Sequence, residues 1–333
     1  MRARYLSEVS YDVKLNLARG DWFSGCATIA FKLSEAPAPG DADKIFIDCC
    51  AHKIGHLSIN GEELAGSGSL LHNNCIPLDV SRLVPGQLNT VKVYFLTKYS
   101  TTGVGLDTHI ESGSGEQYLK TRFEADYCRY VFPCFDQPDL KAKWRLSVIT
   151  ESDWTIINNE AEVEGIPDPD LVTEAEAECE QASSMFLSDA DTDPIDSKLV
   201  LMQETNTLPT HVYCIVAGPY AYHERRVAGH PRMRIYARPE LIDTINHQEM
   251  FDVVVSGHSF YGYFFGVRYP FSKYDQVFTP EANYKASESV GCLTTGTIEG
   301  NESEYVHANS PPTQPMTFNE HYIFSKDCNT AKR

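Results

Sequence analysis

Short runs of alternating apolar and polar residues, each stopped by a turn signal, dominate the first half of this chain. Tyr11, Val13, Leu15 and Leu17 show the period of two that sets one face of a strand against a core. Ile29 and Phe31 mark a second run, and further runs lie at 44–48, 56–59 and 90–96, with Asn60-Gly61 and Pro85-Gly86 between them. The pattern continues at 146–149, 155–157, 199–203, 211–218 and 232–238. Many short strands at such spacing predict a mainly β, sandwich-like domain. Near Pro239 the character changes. Leu241, Ile242, Ile245, Phe251, Val254, Val255 and Phe260 fall near helical spacing and predict a helix over 240–265.

The stretch 160–198 interrupts the strands. It holds thirteen acidic residues and one basic, and so carries −12 of the net charge of −18. Rich in Glu, Asp, Ala, Pro and Ser, it reads as a solvated acidic loop, because it offers too little apolar surface to offset the entropy of ordering it. The net charge argues against nucleic acid and against anionic membrane surfaces, which need a basic footprint. The first residues carry no apolar stretch of signal-peptide type, and no run approaches the roughly 18 apolar residues of a membrane span. No membrane partner is expected. Ten cysteines include no C-x-x-C pair, so reduced thiols in the cytoplasm are the expectation.

General catalytic motifs fail on inspection. The Gly66–Leu71 run lacks the third glycine of a dinucleotide loop, and the run from Gly257 to Tyr261 is one residue short of a nucleophile elbow. His52 and His56 have no carboxylate partner beside them. His223-Glu224-Arg225-Arg226-Val227 begins like H-E-x-x-H but lacks the second histidine that zinc needs on the same helical face.

Two longer stretches say more. The first is YLKTRFEADYCRYVFPCFDQPDLKAKW at 118–144, in which Phe132-Pro133-Cys134-Phe135-Asp136-Gln137-Pro138 forms an F-P-C-F-D-x-P turn. From its residues alone, Asp136 orders a turn, Pro138 fixes φ and Cys134 is a small buried side chain. The second is FGVRYPFSKYDQVFTPEANYKASESVGCLT at 265–294. Together with THVYCIVAGPY at 210–220, YSTTGVGL at 99–106 and SYDVKLNL near the start, these stretches resemble the zinc aminopeptidases of the aminopeptidase N family, a gluzincin group, and in the expected order.

The resemblance implies an amino-terminal β domain of sandwich or saddle-like form over 1–238, with the acidic loop inside it. The opening of a thermolysin-like α/β catalytic domain would follow over 239–333. It implies an activity, zinc-dependent removal of amino-terminal residues from peptides. The five-residue exopeptidase signature G-A-M-E-N becomes Lys285-Ala286-Ser287-Glu288-Ser289, with alanine and glutamate kept. By resemblance, Glu288 and Glu124 bind the substrate's α-ammonium through charge-assisted hydrogen bonds. The position two before Glu124, a glutamine in the family, is Arg122. On an extended strand Arg122 points to the same face as Glu124, so one of Arg122 and Lys285, with Arg122 the better candidate, is expected to neutralise the pocket from within. The H-E-x-x-H zinc motif is absent from the 333 residues. No catalytic or metal-ligating residue is assigned, and the chain by itself is expected neither to bind zinc tightly nor to hydrolyse peptides. The alternative is a non-catalytic scaffold or peptide-binding protein on the same architecture.

Overall fold

The computed structural model describes residues 2–38, 40–41, 44–187, 196–280 and 286–297. Its first strands are β1 (Leu6–Leu17), β2 (Trp22–Leu33), β3 (Phe46–Asp48), β4 (Lys53–Ile59), β5 (Glu62–Glu63), β6 (Cys75–Pro77) and β7 (Leu88–Lys98). Next come β8 (Gly105–Ile110), β9 (Gln117–Arg122), β10 (Ala142–Glu151) and β11 (Thr155–Asn158). The helix α1 (Pro169–Phe186) precedes β12 (Ser197–Leu201), β13 (Ile215–Gly218), β14 (Ala221–Arg225) and β15 (Arg232–Ala237). The helix α2 (His247–Phe265) leads to β16 (Lys273–Pro280), β17 (Ala286–Ser289) and β18 (Cys292–Thr297).

A seven-stranded sheet has the order β12-β10-β1-β2-β7-β4-β5, and a four-stranded sheet the order β11-β13-β9-β8. The alternation read from the sequence decides which face looks inward. Val13, Leu15, Ile29, Val91 and Val93 are fully buried. They share one core with Leu119, Ile215 and Ala217 of the four-stranded sheet. Each such aliphatic side chain contributes about 1.5–3 kcal/mol by leaving water, and the two layers form the expected sandwich.

The acidic loop expected over 160–198 is corrected, because α1 occupies its middle. Asp168 caps the helix by accepting from the Asp170 amide, and Pro169 stands in the first turn, where no hydrogen bond is lost. Ala175, Glu178, Cys179 and Ala182 are buried at the i, i+3, i+4, i+7 spacing of one helical face. That face lies on the outer side of β1, β2 and β7. The even-numbered residues there supply polar partners. Lys14 Nζ lies 3.0 Å from Glu178 and 3.1 Å from Glu174, and Lys92 pairs with Glu178. Asn16 Nδ2 donates to the Cys179 carbonyl at 2.7 Å, and Tyr94 donates to Gln181 at 2.7 Å.

A five-stranded sheet, β14-β15-β16-β18-β17, completes the described chain. The helix expected over 240–265 is α2, capped by Asn246 and ended by Gly266 in the left-handed region at φ 69°. It connects β15 to β16, which pair in parallel. Met233, Ile235, Phe251 and Phe278 pack between sheet and helix. On the other face Tyr236 and Val277 pack with Tyr118, Ile157 and Val216 of the neighbouring sheet. The boundary expected at 238/239 falls inside this five-stranded sheet, between two strands that hydrogen-bond to each other. Tyr263, Phe264, Phe265 and Val267, at and beyond the end of α2, are exposed.

Burial pushes the Glu178 carboxyl up, but Lys92 and Lys14 outweigh it and hold the group below its ordinary range. Burial works against the charge on both lysines, and their carboxylate partners overcome it and raise both. Docking of α1 therefore gains from this cluster in full from about pH 4.5 to about pH 10.5. The Glu178 share is lost as pH falls through its lowered folded value, and the lysine share as pH rises toward theirs. Glu178→Ala is expected to cost about 2–3 kcal/mol, less than the roughly 3–5 kcal/mol of a fully buried pair, because Lys92 stays partly in water. Amide exchange should rise along α1 while β1 and β10 remain protected. Unchanged exchange in α1 at pH 7 would show that these ion pairs do not hold the helix.

Candidate functional site

β9 lies between β13 and β8, with Lys120 opposite Val216 and Arg122 opposite Gly105. The strand ends at Arg122, which is half-buried. Phe123 turns into the core, its ring 6.4 Å from Tyr213 and 6.0 Å from Phe132. Glu124 then opens a turn, closed where the Tyr127 amide donates to the Phe123 carbonyl at 3.0 Å, and it is exposed. The expectation that Arg122 and Glu124 share a strand face is corrected: the strand ends between them, so the period of two does not extend to Glu124.

The F-P-C-F-D-x-P motif fixes that turn from behind. Asp48 and Cys134 exchange backbone hydrogen bonds at 2.8 and 3.0 Å. Asp48 Oδ2 accepts from Arg2 at 2.6 Å and from the Asp136 amide at 2.9 Å. Asp136 Oδ2 accepts from the Arg129 amide at 3.1 Å and from Arg129 Nε at 3.3 Å, and Arg129 also holds Asp126 at 2.7 Å. Asp136 thus orders the turn, as its place in the motif implies, and Cys134 is fully buried. Burial raises the Asp136 carboxyl, with Thr210 and Arg129 beside it acting the other way. The structural partners Asp48 and Arg129 were missed in the sequence because they belong to segments about eighty residues apart.

Glu288 is exposed on β17, opposite Leu293 of β18. Ala286 and Glu288 face out, and Ser287 and Ser289 are half-buried. Lys285 lies outside the described residues. Among the described residues, β17 is the edge strand of its sheet. Its hairpin to β18 turns at Gly291, whose φ is 73°. A Cβ there would overlap the carbonyl of Asn159. Asn159 also donates to Val290 at 2.7 Å and to Val212 at 2.8 Å, so one buried amide clamps the hairpin to the β sandwich. Both motifs meet the 3-10 turn Thr210–Val212: β17 touches it, and Asp136 lies beside Thr210. Lys120 Nζ on β9 donates to the Pro280 carbonyl at the end of β16 at 3.3 Å.

The zinc implied by the resemblance does not fit the described residues. No group of three His, Cys, Asp or Glu comes together among them. His223 lies on a strand and stacks on His247 at 3.9 Å, while Arg226 and Arg234 each hold Glu224 at 2.7 Å. No step is therefore derived through a metal. The nine described cysteines are free thiols. Burial pushes those of Cys50 and Cys128 up to about 11 and those of Cys49 and Cys179 up to about 12, away from a reactive thiolate. No described helix is long and apolar enough to cross a membrane.

The Peptidase M1 N-terminal domain family matches residues 7–176. The chain is 29% identical to aminopeptidase N of Streptomyces lividans over 301 residues, which cover 88% of this chain and 30% of that protein. It is 27% identical to probable M1 family aminopeptidase 2 of Encephalitozoon cuniculi, over 65% of this chain and 23% of that protein. Against aminopeptidase N of Rattus norvegicus the identity is 22%, over 56% of this chain and 17% of that protein. The chain thus spans under a third of the length of these relatives.

Gly291→Ala is expected to cost about 1–3 kcal/mol, from a left-handed backbone combined with overlap on Asn159. A lowered urea midpoint with β17 and β18 amides exchanging early would bear this out. An unchanged midpoint would mean that the hairpin is not clamped.

Proposed function

The chain belongs to the M1 peptidase family, and from that premise we propose that it binds the free amino terminus of a peptide without cleaving it by itself. The observation that carries this reading is the placement of two exposed glutamates, Glu124 and Glu288, on motifs that both abut the turn Thr210–Val212. In this reading the two carboxylates share the α-ammonium, since neither can lie close to the other without a cation between them. The peptide backbone runs along β17, the outermost strand of its sheet among the described residues, adding a strand to it. Capture needs no metal, whereas the hydrolysis carried out by the wider family would need zinc ligands from outside the described residues. The exposed aromatic end of α2 supports a role beside further protein, because soluble proteins seldom leave such a patch uncovered.

We place the start of the catalytic part at β14, before the five-stranded sheet, and the chain in the cytoplasm, which its free thiols favour. The substitutions Lys285, Ser287 and Ser289 in the signature favour a second reading, a scaffold that has lost turnover.

Titration calorimetry with a peptide bearing a free amino terminus, against the same peptide acetylated, tests the capture. The acetylated peptide should bind at least about tenfold more weakly, the worth of one charged hydrogen bond of roughly 1.5–3 kcal/mol. Glu124→Gln and Glu288→Gln should each cost a similar factor. Equal binding of the two peptides would overturn the amine site. Separately, stoichiometric zinc, or chelator-sensitive hydrolysis of an aminoacyl reporter, would overturn the claim that this chain does not cleave.

A further inference from the structure

A cavity of about 730 Å³ lies between the turn that joins β14 to β15, the C-terminal half of α2, and the segment that leads from α2 to β16. That volume falls within the roughly 300–1,000 Å³ of small-molecule sites. Neither Glu124 nor Glu288 lines it.

Local packing shapes the space. The chain leaves α2 through Gly266 and passes back over Gly262, where a Cβ would meet the Val267 carbonyl at 3.8 Å and Arg268 Cα at 3.9 Å, ordinary contact distances. His258 ties the helix to this returning segment. Its ring stacks on Tyr269 at 4.8 Å and meets Tyr274 edge-on at 5.0 Å. Tyr269 accepts from the Gly291 amide at 3.0 Å, and Ser272 donates to Glu160 at 2.6 Å. These groups are engaged in holding the fold. Ser259 Oγ, in contrast, lies 3.5 Å from His230 Nε2, a long contact that the hydroxyl loses little by leaving.

The charge of the lining has one sign. Acidic residues outnumber basic ones 46 to 28 in the chain, yet no Asp or Glu is among the described residues that line this cavity, whereas Arg268, His230 and His258 are. Burial and the neighbouring His230 push His258 down from its ordinary value, so it stays neutral at pH 7. Arg268 is the permanent cation of the lining, and it is exposed. The last carbonyls of α2 carry about half a negative charge, which the full charge of the guanidinium outweighs. In the same lining Tyr263 is 90% exposed, a large ring left in water. Phe264, Phe265 and Val267 are outside the lining, so the cavity is not the apolar patch at the end of the helix.

We infer that this cavity binds a small monocarboxylate that bears an aromatic ring, with the carboxylate on Arg268 and Ser259 and the ring against Tyr263. One guanidinium matches a single negative charge better than a phosphate dianion, and its planar fork can take both oxygens of a carboxylate. Stacking on an exposed tyrosine favours an aromatic ring over an aliphatic group. The inference rests on this cavity and not on the peptide-capture reading.

The test uses phenylpropionate, which has no amine, so the amine site proposed above cannot account for its binding. Ligand-observed NMR titrations of the full chain compare it with phenylpropionamide, which lacks the charge, with propionate, which lacks the ring, and with inorganic phosphate. Each comparison should bind at least about threefold more weakly, a modest factor because Arg268 stays partly in water. Arg268→Gln and Tyr263→Ser, both at exposed positions, should each weaken phenylpropionate by a similar factor. Gly262→Leu adds a side chain inside the cavity on helical backbone that accepts it, and should abolish binding. An amino-acetylated peptide ending in phenylalanine carries the same two groups: if it binds more tightly than phenylpropionate the source is a chain terminus, and if more weakly, a free acid. No binding of phenylpropionate, equal binding of phenylpropionamide or propionate, tighter binding of phosphate, or undiminished binding by a folded Arg268→Gln or Gly262→Leu chain would each overturn the assignment.

Discussion

Asp48 joins distant parts of the chain through one side chain and one backbone pair. Its backbone pairs with Cys134, and its carboxylate takes a guanidinium from Arg2 and an amide from Asp136. Arg129 reaches it at 3.5 Å while holding Asp136. The side chain is 6% exposed and that of Arg2 9%, so removing it would leave the buried Arg2 guanidinium without its carboxylate, the costly side of a buried pair. Segments far apart in the chain, near residues 2, 48, 129 and 136, are drawn together around this one carboxylate. The turn that presents Glu124 inherits its position from that geometry, with Phe123 as the anchor on the other side.

The sandwich was legible in the sequence wherever one strand face is apolar and the other polar. Val13 and Leu15 on β1 and Val91 and Val93 on β7 alternate with polar neighbours because one face meets the core. The helix α1 was not legible by that route. Its buried stripe of Ala175, Glu178, Cys179 and Ala182 is small and partly charged, and it docks on Lys14, Asn16, Lys92 and Tyr94, with apolar contact confined to Cys26 and Tyr94 near the end of the helix. Local chemistry did mark it: Asp168-Pro169 is a capping signature, and a run of Ala and Glu has high helix propensity. The acidic, polar composition of the segment masks both signals.

The candidate site divides the same way. Glu124 and Glu288 could be picked out from the motifs that contain them, but not the orientation of Glu124, since the exact end of β9 depends on Phe123 finding Tyr213 and Phe132. Asn159 gave no signal, because its partners at 212 and 290 are joined only by the fold. A buried amide of this kind serves as a specification device, fixing how one sheet sits on the next in a way that apolar packing alone leaves adjustable.

The parallel pairing of β1 with β10 has a consequence for how the protein is made. β1 finds β2 almost at once as a hairpin, yet its other edge waits for a strand 133 residues further on, Val9 beside Ala142. At about 5–20 residues per second of synthesis, that wait is roughly 7–27 s. During it a hydrophobic strand near the middle of the eventual sheet stands with an unpaired edge, the kind of surface through which nascent chains stick to one another. The ribosome-bound chain is thus most exposed to aggregation before residue 150 emerges, and a chaperone that guards this protein would act on its first strands.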